Sequence, residues 1–390
     1  MKKVNCYIHI PFCTSKCKYC RFASFSGLNQ LKIENYVKFL CEEIKFFSYK
    51  VGNAGINSIQ NQKITLETIY FGGGTPSTLS ISQFERIFDA LKQKFLFSKN
   101  IEISIESTPE NVILENLVSW EKLGINRLSI GVQSLNEKTL EEIARAKKGS
   151  ILDCLNNLEK FFKEFNGGIT ISLDFIIGLP FVKKGELLEN IKFVLEKYNF
   201  VKHISVYMLE EYYDVPEEID SKFDNIIYPN SWKANSIKEE DFLGEYLSIK
   251  NFLEEKGFNR YEISNFSKLG FECKHNLGYW NHKENLAFGL GAHGFLNNIR
   301  FSNSEDFLEY YAGKNISKEK IGEKEKFLEK IMFQLRTSGI EKKYLKFLNE
   351  NKLKYFLGSN PSPLLEEREN KIVLKDDAIL FLDYILDEIL

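Results

Sequence analysis

The amino-acid sequence predicts an α/β protein with an open, partial (β/α)6 barrel followed by a smaller, helix-rich C-terminal domain. In the first 212 residues, six short runs of β-branched and aromatic residues alternate with longer segments whose apolar residues recur every three or four positions. Strands that alternate with helices form parallel βαβ units, and six units are fewer than the eight of a closed barrel. With 390 residues, the chain is long enough for about two to three domains.

The predicted elements of the barrel follow in order along the chain. The strands are expected at Cys6–Pro11, Thr68–Phe71, Ile101–Glu106, Arg127–Gln133, Ile169–Ile177 and His203–Leu209. Helices are expected over Ile33–Phe47 and Phe84–Phe95, because apolar residues repeat there at helical spacing. Ser82 and Glu85 have the spacing of a capping box, which would open the second of these helices.

The pattern changes after residue 212, so we expect a barrel domain at 1–212 and a C-terminal domain at 213–390. A polar segment from 213 to 236 contains Pro216 and Pro229, and this composition predicts a loop-rich crossing between the two domains.

Within the C-terminal domain the sequence predicts mostly helices. One helix is expected at 239–256, and a glycine-dense turn segment at 278–294. From Lys318 onward, apolar residues at helical spacing alternate with lysine and glutamate, which predicts helices with solvated faces. A short strand at Ile372–Leu374 is expected to precede a last helix.

Composition and charge exclude several classes of protein. The 52 Lys and Arg nearly balance the 54 Asp and Glu, which leaves a net charge of -2 and no bias toward nucleic acid. Apolar runs such as Ile169–Leu179 fall short of the roughly 20 residues of a membrane-spanning helix. The first residues lack the apolar stretch of a signal peptide, so we expect a cytoplasmic protein without a membrane span.

Three of the seven cysteines crowd into one loop directly after the first predicted strand. Cys13, Cys17 and Cys20 have the spacing C-x3-C-x2-C, and an aromatic residue precedes the last cysteine. Structural zinc usually takes four ligands as two separated pairs, and the sequence contains no second C-x2-C pair. Thiolates also hold iron–sulfur clusters, usually four per cubane, so three would leave one iron open to another ligand.

Glycine and polar residues follow at the carboxyl ends of later strands, which is the face where β/α barrels bind their ligands. The second strand runs into Phe71–Pro76, whose three consecutive glycines let the backbone approach a ligand closely. Glu106 and Gln133 end the third and fourth strands, Arg145 follows shortly after, and Asp174 lies within an apolar strand. An unpaired carboxylate inside such a strand is costly, so a binding role is favoured for Asp174.

Together these motifs resemble radical S-adenosylmethionine (SAM) proteins, within the family of oxygen-independent coproporphyrinogen III oxidases and related heme chaperones. The resemblance runs from Tyr7 to about His293. It implies a [4Fe-4S] cluster on Cys13, Cys17 and Cys20, with SAM on the open iron and electron transfer that yields a 5'-deoxyadenosyl radical. The residues that it implies in SAM binding are Tyr7, Gly73, Gly74, Thr75, Glu106, Gln133, Arg145 and Asp174.

Two positions favour the heme-chaperone branch of this family. The oxidases carry a fourth cysteine two residues after the third, whereas this chain has Phe22 there, as the chaperones do. The segment from Cys273 to Trp280 resembles the H-N-x-x-Y-W motif implicated in heme binding. Its implied heme-binding residues are His275, Asn276, Tyr279 and Trp280, with Cys273 as a further candidate, and an imidazole is a suitable axial ligand for heme iron.

The favoured hypothesis is therefore a heme chaperone that binds the cluster, SAM and heme, and hands heme to acceptors such as respiratory proteins, as a monomer or weak dimer. The alternative is an oxygen-independent coproporphyrinogen III oxidase, which needs anchors for several substrate carboxylates in a chain poor in arginine. A third hypothesis is a non-catalytic zinc or iron–sulfur interaction module. No catalytic residue is assigned. Lys147 stands where chaperones commonly have histidine, which puts a role for that histidine in doubt, and His293 is expected to be a packing or hinge residue.

Overall fold

The structure is a computed structural model that describes residues 2–47, 63–146, 148–209, 232, 235–314, 316–358 and 363–390. Its strands are β1 Lys2–Ile10, β2 Phe12–Cys13, β3 Phe25–Ser26, β4 Ile64–Gly73, β5 Leu96–Ser107, β6 Arg127–Gln133, β7 Thr170–Ile177, β8 Val201–Met208, β9 Asn259–Arg260, β10 Asn265–Ser267, β11 Asn285–Phe288, β12 His293–Leu296, β13 Ile299–Ser302, β14 Ser317–Lys320, β15 Ile340–Glu341, β16 Leu365–Arg368 and β17 Lys371–Leu374.

The helices cover the outer face of the barrel and make up much of the C-terminal region. They are α1 Gln30–Phe46, α2 Ile81–Lys94, α3 Leu114–Leu123, α4 Glu137–Glu142, α5 Ile151–Phe165, α6 Glu186–Lys197, α7 Glu239–Glu255, α8 Lys274–Trp280, α9 Phe307–Tyr311, α10 Glu323–Arg336, α11 Glu350–Gly358 and α12 Leu382–Ile389. Short 3-10 helices occur at Pro76–Thr78, Pro109–Asn111, Lys342–Phe347 and Asp376–Phe381.

A 12-stranded sheet with the order β14-β13-β12-β11-β1-β4-β5-β6-β7-β8-β10-β9 forms the centre of the molecule. The strands β1, β4, β5, β6, β7 and β8 lie side by side in chain order and are all parallel. The sheet ends at β14 and β9 without closing. The predicted open, partial barrel of six βα units is therefore confirmed.

Apolar side chains between the sheet and the helices form the core. On α2, for example, Phe84 and Phe88 place their ring centroids 5.4 and 5.5 Å from that of Phe71 on β4. All three rings are buried, and burying a phenylalanine side chain stabilises the fold by about 1.5–3 kcal/mol. This packing fixes α2 against β4 directly before the glycine segment that follows Phe71.

The six predicted barrel strands and the first two helices all occur, with ends that differ by a few residues. The predicted capping box, however, is wrong. The box is formed by Ser80 and Gln83: the backbone N–H of Gln83 donates to Ser80 Oγ, and the backbone N–H of Ser80 donates to Gln83 Oε1. Glutamine serves this role as well as glutamate, and because α2 begins at Ile81, Ser82 already lies inside the helix.

The region after residue 212 adds strands to both edges of the barrel sheet. The segment predicted as glycine-dense turns contains β11, which pairs in parallel with β1, so that part of the prediction is wrong. The predicted helical pattern from Lys318 starts later, because Ser317–Lys320 forms an edge strand and α10 begins at Glu323. The loop-rich crossing predicted at 213–236 lies largely outside the described residues, and the division at residue 212 stays a prediction.

The last part of the chain is a small module of helices around a three-stranded sheet with the order β15-β17-β16. The predicted helix at 239–256, the strand at Ile372–Leu374 and the last helix are confirmed as α7, β17 and α12. Among the described helices, none combines the length and the apolar character that crossing a membrane requires.

Candidate functional site

The cysteine loop leaves β1 and returns through the short parallel pair of β2 and β3. Lys16 holds the loop together, because its Nζ donates to the carbonyl oxygen of Phe22 at 2.7 Å and to Ser24 Oγ at 2.7 Å. Cys20 donates its backbone N–H to the carbonyl oxygen of Cys17 at 3.0 Å, which forms a tight turn between the two. These local bonds order the short loop that carries the three cysteines.

His9 on β1 supports this loop from below. Its Nε2 lies 2.7 Å from the carbonyl oxygen of Ala23, and its Nδ1 lies 3.0 Å from Tyr7 Oη. A carbonyl oxygen only accepts, so Nε2 carries the proton and Nδ1 accepts from Tyr7. Burial lowers the pKa of His9 to about 4, so the ring stays neutral. Through these two bonds, the neutral ring links Tyr7 to the cysteine loop.

The glycine segment after β4 packs directly against the base of the cysteine loop. The backbone N–H groups of Gly74 and Thr75 donate to the carbonyl oxygens of Ile10 and Phe12 at 2.9 and 2.7 Å. Thr75 Oγ1 lies 3.4 Å from Cys13 Sγ. A Cβ on Gly73, which has φ of 107°, would lie 2.4 Å from the His9 ring. Only glycine satisfies both the backbone angle and the close approach.

Two half-buried carboxylates, Glu106 and Asp174, face the space above the strands. Glu106 accepts from Tyr70 Oη at 2.8 Å and from the backbone N–H of Gly73 at 3.1 Å. Burial raises the pKa of Glu106 to about 7; hydrogen bonds from Tyr70 and Gly73 lower it only partly, and the charge of Asp174 raises it further. Burial also raises the pKa of Asp174 against its serine hydrogen bonds. A cation in this space would relieve both carboxylates.

Gln133 and Arg145 complete this end of the sheet. Gln133 is 7% exposed, has a left-handed φ of 69°, and its Oε1 has no hydrogen-bond partner among the described residues. Arg145 donates to the carbonyl oxygen of Gly131 at 2.6 Å and to Tyr19 Oη at 3.0 Å, and its Nη1 lies 3.5 Å from Cys17 Sγ. Burial opposes the charge of Arg145, but Tyr19 and Cys17 raise its pKa, so it remains a cation beside the cysteine loop.

These side chains surround one cavity of about 310 Å³ at the carboxyl ends of β4 to β8. Ten of the residues that the sequence singled out line it: Cys13, Cys17, Cys20, Gly73, Gly74, Thr75, Glu106, Gln133, Arg145 and Asp174. Tyr7 does not line the cavity. Its ring stacks on that of Tyr70 at 6.3 Å and its hydroxyl serves His9.

Sequence reasoning missed several lining residues, among them Tyr70, Lys148 and Tyr207. Tyr70 and Tyr207 lie near the carboxyl ends of predicted strands, and this position could have identified them as candidates to line the cavity. Lys148 follows the short helix after β6, where no pattern distinguishes it from solvated lysines. Lys147, the position that departs from the chaperone pattern, lies outside the described residues.

The donor set fits an iron–sulfur cluster better than a single metal ion. All three loop cysteines are free thiols on one cavity wall. In the described part of the chain, no three His, Cys, Asp or Glu side chains lie close enough together to hold one metal ion. A cubane takes each thiolate on a different iron, so its ligands do not need to converge on one point. The unpartnered Gln133 Oε1 and the two carboxylates leave acceptors for a ligand beside it.

The predicted heme-binding segment lies elsewhere, on α8 behind β4. His275 is 1% exposed; its Nδ1 lies 2.7 Å from Thr68 Oγ1 and its Nε2 lies 3.1 Å from Tyr279 Oη. Its ring stacks on that of Tyr70 with 5.0 Å between centroids. Burial lowers the pKa of His275 to about 3, so the imidazole is neutral. Both ring nitrogens are engaged within the protein in this conformation.

The other predicted heme residues surround His275 unevenly. Tyr279 is 37% exposed, Asn276 and Trp280 are half-buried, and Cys273 is buried with its Sγ 3.7 Å from Glu102 Oε1. The indole N–H of Trp280 has no partner among the described residues. None of these side chains lines the cavity of the cysteine loop.

Glu102 on β5 fixes the start of α8, which sequence reasoning did not find. The backbone N–H groups of Lys274 and His275 donate to its carboxylate at 3.0 and 2.9 Å. His293 at the start of β12 is exposed, and the structure gives it no further role. His203 is buried, and its two nitrogens are bonded to Ser172 and Tyr261, so it is a core histidine with both nitrogens satisfied.

Comparison with known proteins agrees with these motifs. The model of the Radical SAM superfamily matches residues 7–194. The heme chaperone HemW of Lactococcus lactis is 31% identical over 345 residues, which is 86% of this chain and 82% of that protein. The heme chaperone HemW of Bacillus subtilis is 29% identical over 391 residues, which is 97% of this chain and 95% of that protein.

Among solved structures, the coproporphyrinogen III oxidase HemN from Escherichia coli matches with a TM-score of 0.77 and 19% identity. The match covers 99% of this chain and 89% of that chain, and it shows a common fold. The sequence identity to the HemW proteins, sustained over most of both chains, is the more specific result. This chain therefore belongs to the HemW family of radical SAM proteins.

Proposed function

We propose that this protein is a radical SAM-type heme chaperone that binds a [4Fe-4S] cluster, SAM and heme, and delivers heme to acceptor proteins such as those of the respiratory chain. The observation that carries the cofactor assignment is the convergence of the three loop cysteines and the strand-end residues on one cavity. The names of the related HemW proteins support the chaperone role. A cytoplasmic location and a monomeric or weakly dimeric state stay predictions.

Within the cavity, Cys13, Cys17 and Cys20 would hold the cluster, which supplies the electron for SAM cleavage in proteins of this kind. The chain's own residues would bind and orient SAM. Glu106, Asp174 and Gln133 Oε1 offer acceptors to its cationic and hydroxyl groups, and Lys148 offers a cation to its carboxylate. Because a positive ligand favours ionised Glu106, binding would shift a proton off this carboxyl near neutral pH.

For heme, His275 remains the proposed axial ligand, and one of its present hydrogen bonds would have to break. Its Nε2 is bonded to the hydroxyl of Tyr279, whose side chain is partly exposed. Rotation of Tyr279 toward solvent would free Nε2, while Thr68 would keep Nδ1 in place. A bond at Nδ1 fixes the orientation of an imidazole that ligates through Nε2.

The oxidase remains the second candidate because the fold is shared with HemN. Its substrate carries several carboxylates, but the described cations of the cavity are largely committed. Arg145 is bonded to Tyr19 and Gly131, and Lys16 to Phe22 and Ser24, which leaves Lys148 without a described side-chain partner. Because the cavity has few uncommitted cations for a substrate with several carboxylates, the chaperone is favoured over the oxidase.

One anaerobic experiment separates the two candidates. The reconstituted protein is incubated with SAM, a reductant and coproporphyrinogen III, and protoporphyrinogen and 5'-deoxyadenosine are measured. We expect no multiple-turnover porphyrin product, together with stoichiometric heme binding in a parallel titration. Product over many turnovers would establish the oxidase instead.

The cluster assignment has its own matched test. Cys13→Ala, Cys17→Ala and Cys20→Ala should each abolish the brown absorbance after reconstitution, because no other described cysteine lines the cavity. Cys41→Ala is the control, since Cys41 lies on α1 away from the cavity. If the three loop variants keep their absorbance and iron, the cluster assignment is refuted. The same result would also argue against a non-catalytic iron–sulfur module built on these cysteines.

A further inference from the structure

A second cavity, of about 520 Å³, lies at the opposite end of the strands, beside the amino ends of β1, β4 and β5. Ligand-binding pockets commonly have volumes of about 300–1,000 Å³. Four lysines line this cavity, Lys3, Lys99, Lys274 and Lys283, against one described carboxylate, Glu67. The described lining therefore carries an excess of positive charge in a chain whose net charge is -2.

The lysines are not all neutralised. Glu67 pairs with Lys3 at 3.0 Å and with Lys283 at 3.3 Å. No ion pair to a described residue is found for Lys99 or Lys274. Lys99 and Lys274 are exposed side chains that line the cavity without a described counter-charge, which favours an anionic ligand.

Asn5 on β1 supplies an independent observation. It lines the cavity and is 1% exposed, yet neither its Nδ2 nor its Oδ1 has a hydrogen-bond partner among the described residues. An unsatisfied buried amide destabilises a fold by about 1–3 kcal/mol. A Cβ on Gly278 would lie 1.8 Å from Asn5 Nδ2, so glycine at that position is what makes room for the amide. The described residues leave this amide without a partner, so a water or a ligand at the cavity wall would satisfy it.

The cavity shares a helix with the predicted heme residues. Lys274, Leu277, Gly278 and Asn281 line it at helical spacing, along and just beyond α8, whereas His275 and Tyr279 lie on another side of the same helix. Thr68 joins the two sides, because it lines the cavity and its Oγ1 lies 2.7 Å from His275 Nδ1.

We propose that this cavity binds the propionate carboxylates of the tetrapyrrole that the protein carries, an inference that rests on the proposed function. The lining is polar apart from residues such as Leu277, so it suits the charged edge of a tetrapyrrole rather than its flat face. Lys99 and Lys274 pair with the carboxylates, and Asn5 Nδ2 donates to them. The lysine ammonium groups act here as point charges, and solvent and salt weaken their attraction to the carboxylates.

The test compares hemin with hemin dimethyl ester, which lacks the free carboxylates. Both ligands are titrated by absorbance into wild-type protein, the Lys99→Ala/Lys274→Ala double variant and a Lys38→Ala control, whose lysine is exposed on α1. We expect the double variant to bind hemin about tenfold more weakly than wild type and to bind the ester unchanged. The control should match wild type for both ligands, and added salt should weaken hemin binding in wild type more than in the double variant.

Asn5→Leu adds a readout that a merely structural residue would not give. Because Asn5 makes no described side-chain hydrogen bond, leucine should leave the unfolding midpoint unchanged or higher. Hemin binding should nevertheless weaken several-fold.

The outcomes separate this inference from the proposed function. If wild type binds hemin and the double variant binds it equally well, or if both ligands lose affinity equally, the cavity is not the carboxylate site although the chaperone proposal stands. If wild type binds no hemin, both proposals fail.

Discussion

Replacing Glu106 with glutamine should make the stability of the cluster-free protein less dependent on pH. The pKa of Glu106 rises from its ordinary value of 4.5 to about 7, chiefly because of burial. The native state therefore binds a proton more tightly than the unfolded state does. The stability that this proton gives is complete below about pH 4.5 and is lost as pH rises through 7. At about 1.4 kcal/mol per pKa unit, ionised Glu106 costs about 3 kcal/mol at pH 8, and most of that difference develops between pH 5 and 8.

The assay is urea unfolding of wild type, Glu106→Gln and Glu85→Gln at pH 5, 6, 7 and 8, each without cluster or SAM. Glu85 is an exposed carboxylate on α2 and serves as the matched control. Glutamine at 106 keeps only one acceptor oxygen, so it loses the bond from either the Gly73 N–H or the Tyr70 hydroxyl at every pH, and only the change with pH is diagnostic. Relative to Glu106→Gln, wild type should lose about 2 to 3 kcal/mol of unfolding free energy from pH 5 to pH 8. A difference that stays constant over this range would refute the reasoning.

Three further predictions follow from contacts described above. Cys17→Ala should leave the reconstituted protein without bound iron, measured against protein by colorimetric assay, and iron content equal to wild type would contradict this. Gly73→Ala should lower the unfolding temperature more than Gly185→Ala. Both glycines have positive φ, but a Cβ at Gly73 would meet the His9 ring, whereas the space at Gly185 is open. Equal losses would show that the close approach to His9 is unimportant. Tyr279→Phe should tighten heme binding by freeing Nε2 of His275, observed in a Soret titration, whereas unchanged or weaker binding would argue against ligation at that atom.

Much of the barrel and its cavity follows from local sequence pattern. Parallel strands that are buried on both faces leave apolar runs in the sequence, and the carboxyl end of each run places its polar residue at one edge. Glu106, Gln133 and Asp174 could therefore be expected to meet in space. The cysteine loop and the three-glycine segment could also be recognised from the sequence, because the residues of each motif lie within a few positions of one another.

Long-range pairing was not accessible in the same way. β11 joins β1 across more than half of the chain, and its four residues lie within a segment whose glycines suggest turns. The capping box was assigned to the wrong serine for a local reason. Ser80 with Gln83 and Ser82 with Glu85 have the same spacing, and only the start of α2 decides between the two pairs.

The surroundings of His275 show what composition and motif leave undetermined. The sequence places an imidazole beside Tyr279 and Trp280, but the bonds to Thr68 and the stacking on Tyr70 come from β4, which lies about 200 residues earlier in the chain. Whether a histidine is free or engaged depends on such distant partners.

The central claim is that the protein delivers heme, and the most direct measurement is heme transfer to a heme-free respiratory cytochrome. Anaerobically reconstituted protein is loaded with stoichiometric heme, mixed with increasing concentrations of the acceptor, and followed by the acceptor's Soret band. Direct delivery predicts a transfer rate that rises with acceptor concentration, because the two proteins must meet before heme moves. A rate independent of acceptor concentration would mean passive release of heme into solution and would contradict the chaperone role.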